Sequence, residues 1–249
     1  MNAPGSFFAS VACMAALATA VLAEPAAPPA KPKPEPVPAA PQVSPERAAM
    51  YRFMAKRSGK PGGQRTRGVT RGEGKPMIKL VAIAPEAVGV THLESPRIWW
   101  WQSAATEPQE MLFELERTEE PAKNVISIKL GALPAGFNAI DLAQVGKGQK
   151  IRLEAGVEYE WVLSCFSGEK KNSVKVKIDR RNDLDLADFK PEQGGGPKNI
   201  AALSEAGNWY ELFDAVAFPA KVESVAAEYA GIRQRLLDQV GLGGEIKAP

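Results

Sequence analysis

Two cysteines and one histidine in 249 residues leave little material for the commoner catalytic and metal-binding constellations. Cys13 lies inside an N-terminal apolar run that reads as a cleaved signal, so the mature chain keeps only Cys165 and has no partner for an internal disulfide. Its stability has to come from packing. A nucleophilic pair of Cys165 with His92 needs an activated thiolate and a third, orienting group. Cys165 sits instead within an apolar strand pattern, where a buried inert thiol is the ordinary outcome. A zinc site from one histidine and one cysteine has no supporting ligand spacing. An excess of one charge is also missing: a net charge of +2 gives no whole-chain argument for nucleic acid or a membrane. The one long apolar run, FFASVACMAALATAVLA from Phe7 to Ala23, has seventeen residues, the short edge of a bilayer span. It ends in Val21-Leu22-Ala23 before Glu24-Pro25, a small-x-small cleavage pattern that predicts export; no Lys or Arg precedes it, and the alternative is an uncleaved anchor.

Other chemistry is imitated rather than present. GEGKP at Gly72 to Pro76 resembles the end of a phosphate-binding loop, but Pro76 stands where Ser or Thr must ligate magnesium. Gly194 to Gly196 reads as a joint. Asp183, Asp185 and Asp188 are interleaved with Leu184, Leu186 and Ala187 and lack the turn glycine of a calcium loop. Glu114 and Glu116 share one strand face, which the exterior of a sheet explains without catalysis. No cofactor, metal or catalytic set is expected, and an enzyme would need acid–base groups that show no visible pairing.

What is there is strongly segmented. Residues 24–46 carry nine prolines and predict an extended polyproline spacer. Residues 47–75 read as a short helix, with Met50, Phe53 and Met54 on one stripe, followed by a basic glycine-rich flexible arm. Arg65, Arg67, Arg71 and Lys75 belong to that arm, which suits an anionic glycan or an acidic protein surface. Between Met77 and Arg180 come seven short runs: MIKLVAIAP, SPRIWWWQS, EMLFELERTE, NVISIKLGAL, GFNAIDLA, GVEYEWVLSCF and NSVKVKIDR. Their alternation predicts an immunoglobulin- or fibronectin-like antiparallel β-sandwich over 76–181, a mainly β fold. Leu153, Gly156, Tyr159 and Trp161 have the L-x-x-G-x-x-Y-x-W spacing of a late sandwich strand, where the tyrosine hydroxyl bonds back to the preceding turn. A linker over 182–198 leads to C-terminal helices over 199–242 that pack on the sandwich. They show apolar stripes through Leu203, Leu212, Phe213 and Val216, and through Val225, Tyr229, Ile232, Leu236 and Val240. Residues 243–249 read as a disordered tail.

The ordered series TRGEG, LVAIAP, GVTHLESPRIWWW, MLFELE, AGVEYEWVLSC, GNWYELFDAVA and LLDQVGL resembles the exported bacterial family "domain of unknown function 928", over about Gly68 to Leu242. The resemblance implies export, a β-rich body and a helical end, and no activity. It also implies a cysteine just after T-R-G, able to pair with the one at Cys165; here Glu73-Gly74-Lys75-Pro76 stands in that place.

The Trp99-Trp100-Trp101 run sets one last question, because neighbouring strand residues face opposite ways. We expect Trp99 and Trp101 between the sheets and Trp100 under the C-terminal helices, with Trp209 and Tyr210 nearby. Any part of Trp100, Trp209 and Tyr210 left uncovered would form an interaction surface for a protein or a sugar. The sequence therefore predicts a non-enzymatic interaction or structural component of the bacterial envelope, periplasmic or extracellular. Its partner would be an envelope protein or anionic glycan rather than nucleic acid. The mature chain would have no membrane span; the alternative role is a carbohydrate-binding module.

Overall fold

The computed structural model describes residues 52–53, 61–66, 77–108, 110–119, 121–145, 150–182, 197–217 and 223–246, without the side chains of 197–198 and 223–227. The expected signal (1–23), spacer (24–46), most of the short helix, Arg67, Arg71 and Lys75, the 183–188 acids, Gly194 to Gly196 and residues 247–249 lie outside the described residues. The chain is mainly β. Its strands are β1 (Gly63–Gln64), β2 (Leu80–Ala82), β3 (Gly89–Thr91), β4 (Arg97–Gln102), β5 (Met111–Arg117), β6 (Lys123–Lys129), β7 (Gly136–Asp141), β8 (Glu158–Ser167) and β9 (Lys170–Arg180). Three helices follow: α1 (Pro197–Ala206), α2 (Trp209–Ala217) and α3 (Glu223–Gln239). The larger sheet runs β1-β9-β8-β5-β6, antiparallel along that path, with β3 lying parallel on β9. The smaller sheet runs β2-β4-β7 and is antiparallel. Each of the seven runs overlaps one strand. The additions, β1 and β3, are two and three residues long, too short to carry a period.

Side-chain alternation explains the larger sheet. Met111, Phe113 and Leu115 of β5 and Val174, Val176 and Ile178 of β9 are buried, whereas Leu112, Glu114, Glu116, Lys175, Lys177 and Asp179 between them are not. One face is dry and the other meets solvent. β4 is different, because every residue from Ile98 to Gln102 is buried. A strand reads as a continuous apolar run when both of its faces are covered.

The register shows which tryptophan faces what. Trp100 pairs with Ala82 and Asn138 and shares its face with Ile98, Gln102 and Ile140. Trp99 and Trp101 share theirs with Arg97, Phe137 and Asp141. Phe213 of α2 lies 5.9 Å from the Trp99 ring and 6.2 Å from Phe137, so the helices cover that side. Trp100, 1% exposed, therefore points toward the larger sheet, with its Nε1 donating to Gln102 Oε1 at 3.0 Å. The expectation for the three tryptophans is corrected: Trp100 lies between the sheets, and Trp99 and Trp101 lie under the helices. The cause is Arg97, which has the parity of Trp99 and would put a guanidinium between two apolar sheets if that face turned inward.

A tight junction joins the first two helices. Gly207 has a φ of 72°, the left-handed conformation that ends a helix, and Asn208 N donates to Leu203 O at 3.1 Å across it. Asn208 O then accepts from Leu212 N at 3.1 Å, so α2 starts immediately after the turn. On α3 and just beyond it, Tyr229, Ile232, Leu236 and Val240 are all buried, the stripe read from sequence.

Two segments expected to be loose are structured. Within the basic arm, Gly63 and Gln64 pair with Val176 and Lys175, and Thr66 bridges to Val81. The glycines there bring backbone against backbone: a Cβ on Gly62 would lie 2.3 Å from the Ala87 carbonyl oxygen. Near Phe53 the chain is irregular rather than helical at 52–53, and the Phe53 ring packs edge-on against Trp209 at 5.0 Å. The tail is fixed as far as Ile246, which is buried, and Lys79 Nζ donates to the Glu245 carbonyl at 2.8 Å.

Trp100→Ala removes an aromatic side chain from the intersheet core and should cost about 3–5 kcal/mol of unfolding free energy. Urea denaturation of the purified chain measures it. A loss under about 1 kcal/mol would contradict the placement of Trp100 between the sheets.

Candidate functional site

Helix α2 is buried from Trp209 through Val216, so its polar side chains must find partners within the protein. Glu211 and Asp214 do so, three residues apart and therefore neighbours along the helix surface. Glu211 Oε1 accepts from Thr91 Oγ1 at 2.8 Å, His92 N at 2.6 Å and Leu93 N at 2.9 Å, clamping the turn that follows β3. Asp214 Oδ1 accepts from Trp99 Nε1 at 2.9 Å and from Arg97 Nη1 at 3.0 Å. Arg97 Nη2 reaches Asp141 Oδ2 on β7 at 3.2 Å. The register of β4 with β7 places Arg97 opposite Asp141, so the sequence of two strands and one helix converges on a single guanidinium.

These groups border a cleft of about 200 Å³ between α2, the 93–96 turn and the end of β7, lined also by Leu93, Ser95 and Tyr210. Burial pushes the Glu211 carboxyl above its ordinary range, against the downward pull of the Thr91 hydroxyl and the backbone amides. Burial likewise raises Asp214, and Arg97 and the Trp99 indole pull it back. Glu211 Oε2 is buried and has no hydrogen-bond partner. The arrangement fastens a helix to a sheet with charge-assisted hydrogen bonds, and leaves beside it a small polar recess. Among the described residues, no three His, Cys, Asp or Glu side chains are grouped to hold a metal ion.

The residues expected as an interaction surface are elsewhere in the packing. Trp100, Trp209 and Tyr210 are 1%, 0% and 2% exposed, so none offers a surface and that expectation is corrected. Trp209 Nε1 donates to the Ile83 carbonyl at 2.9 Å. The Tyr210 hydroxyl accepts from Trp161 Nε1 at 3.2 Å, and burial raises its phenol. The helices need an apolar landing site, and these rings supply it. Arg65, expected in a free arm, is also corrected: its Nη1 donates to Ala84 O at 3.1 Å and Val240 O at 2.6 Å, tying the arm to the end of α3. Burial lowers its pKa.

At the corner before β8, the Tyr159 hydroxyl accepts from Glu154 N at 2.9 Å, and Leu153 and Trp161 are buried. Gly156 sits in the intervening turn. Cys165 is buried on β8, and desolvation, with Glu110 nearby, pushes its thiol up to about 11. At neutral pH it is protonated and a poor nucleophile. His92 contributes its backbone amide to Glu211, and its Nδ1 is buried without a partner. Sequence reasoning passed over Glu211 and Asp214. The available signal was two acids inside WYELFDAVA, a segment with too few polar residues to face water on any side.

A mainly β chain with a helical end bolted to it through buried carboxylates is the class that fold and cleft define. The sequence model of Domain of Unknown Function (DUF928) matches residues 60–249, and the chain belongs to that family. No curated protein matches it.

The raised carboxyl of Glu211 fixes the sign of a pH effect. A folded-state pKa above the unfolded value favours the fold at acid pH, and that contribution is lost as pH rises through the folded value. The stability of the native chain minus that of Glu211→Gln should therefore fall over the range from the ordinary carboxylate value upward, by about 1.4 kcal/mol for each unit of pKa difference. Thermal or urea unfolding of both proteins across that range checks it; a difference that rises with pH contradicts the burial-dominated environment assigned to Glu211.

Proposed function

We propose that the chain is an exported, non-enzymatic interaction or structural component of the bacterial envelope, built on an immunoglobulin-like β-sandwich. The strand order supports the sandwich reading: β6-β5-β8-β9-β1 with β3 parallel on β9 form one sheet, and β2-β4-β7 the other. A tyrosine bonded to the turn before its strand, as Tyr159 is, is a feature of such domains. The observation that carries the functional reading is how the polar chemistry is used. Asp214, Arg97 and Asp141, and Glu211 through its Oε1, spend their hydrogen bonds on protein groups, and the Cys165 thiol is held protonated. Family membership adds no activity. The N-terminal sequence supports export, and the proline-rich stretch after it supports a body held at a distance from its anchor point. The carbohydrate-binding alternative relied on bare aromatic rings, and Trp100, Trp209 and Tyr210 are buried.

Crosslinking in intact cells of the native organism, followed by purification of the mature chain, tests the reading. A specific envelope protein recovered with it is the expected result. Recovery of the chain in the cytoplasm, or with glycan and no protein, would overturn it.

A further inference from the structure

The larger sheet ends at β6, which pairs with β5 along one side and with no strand on the other among the described residues. Its row of backbone donors and acceptors on that side is a template for another extended chain. The smaller sheet has three strands against five along the main path of the larger, and β6 shows the shortfall. Ile126 and Ile128 lie opposite Leu115 and Phe113 and so point inward with them. Leu115 and Phe113 are fully buried, whereas Ile126 and Ile128 are only half-buried. An added strand would pair with the open edge and cover this overhang with its inward side chains.

The charge on β6 says which chain fits. Lys123 and Lys129 stand exposed at its two ends, and neither makes an ion pair among the described residues. The acids on neighbouring β5, Glu114 and Glu116, lie opposite Ser127 and Asn124 instead. A second copy pairing antiparallel about Ile126 would put Lys123 against Lys129 twice, and like charges directly opposite are destabilising. We infer that β6 is the docking edge for an extended segment of a partner protein, with apolar residues alternating inward and acidic residues at its ends, added to the sheet as a further strand. This rests on the interaction reading above and names the partner's chemistry.

The test uses the full chain and two blocked peptides of alternating valine and threonine, one with glutamate at both ends and one with lysine. Hydrogen exchange should show protection of the amides in 123–129 by the glutamate-ended peptide. That peptide should be preferred by roughly threefold to tenfold, the size two exposed ion pairs supply. The Lys123→Glu, Lys129→Glu double variant, with both changes on exposed residues, should keep its unfolding midpoint and reverse the preference. Equal binding of both peptides, protection elsewhere than β6, or no protection would overturn the proposal. So would a concentration-dependent dimer with protected β6 amides, which would assign the edge to a second copy. Failure of the envelope reading is separable, because β6 protection by the acidic peptide does not depend on where in the cell the chain resides.

Discussion

A strand carrying tryptophan on both faces has to be covered on both, and β4 imposes that requirement on the whole chain. Each buried tryptophan removes roughly 150–250 Å² from water. The larger sheet covers Trp100, and among the described residues no strand is left to cover Trp99 and Trp101. Helix α2 does so, which makes the C-terminal helices part of the core rather than an appendage. The same core cluster contains residues of both sheets and of all three helices. Phe53 in turn caps Trp209 from the N-terminal side, and Arg65 ties residues 61–66 to the end of α3.

Covering an outward face that includes Arg97 and Asp141 brings charge into the interface. Asp214 answers Arg97 and the Trp99 indole, and Glu211 answers the backbone amides after β3. Such groups stabilise little compared with an apolar interface of the same shape, since desolvating them is costly. What they add is direction: α2 meets the strands at fixed polar points along its length, where greasy contacts alone would permit many.

The strands were legible because a sheet with one wet face writes its period into the sequence, as in Phe113, Glu114, Leu115, Glu116. Tyr159 was legible through its spacing to Leu153 and Gly156. The faces of β4 were misassigned because three identical residues carry no alternation; the deciding parity lay in Arg97, two positions before the run. Glycines around Gly62 read as slack, yet the absence of Cβ atoms serves close backbone contact with Ala87. Glu211 and Asp214 escaped because a buried acid looks like any surface acid until its partners, more than a hundred residues earlier in the chain, are in place.

The central claim is that α2 belongs to the same cooperative unit as β4. Native-state hydrogen exchange measures it directly by comparing amides in Trp209–Ala217 with those in Arg97–Gln102 as denaturant is raised. The account predicts that both sets open with one free energy, within about 1 kcal/mol, and merge with global unfolding. Exchange of the α2 amides through a much cheaper opening, with β4 still protected, would contradict it and return the helices to the status of an attachment.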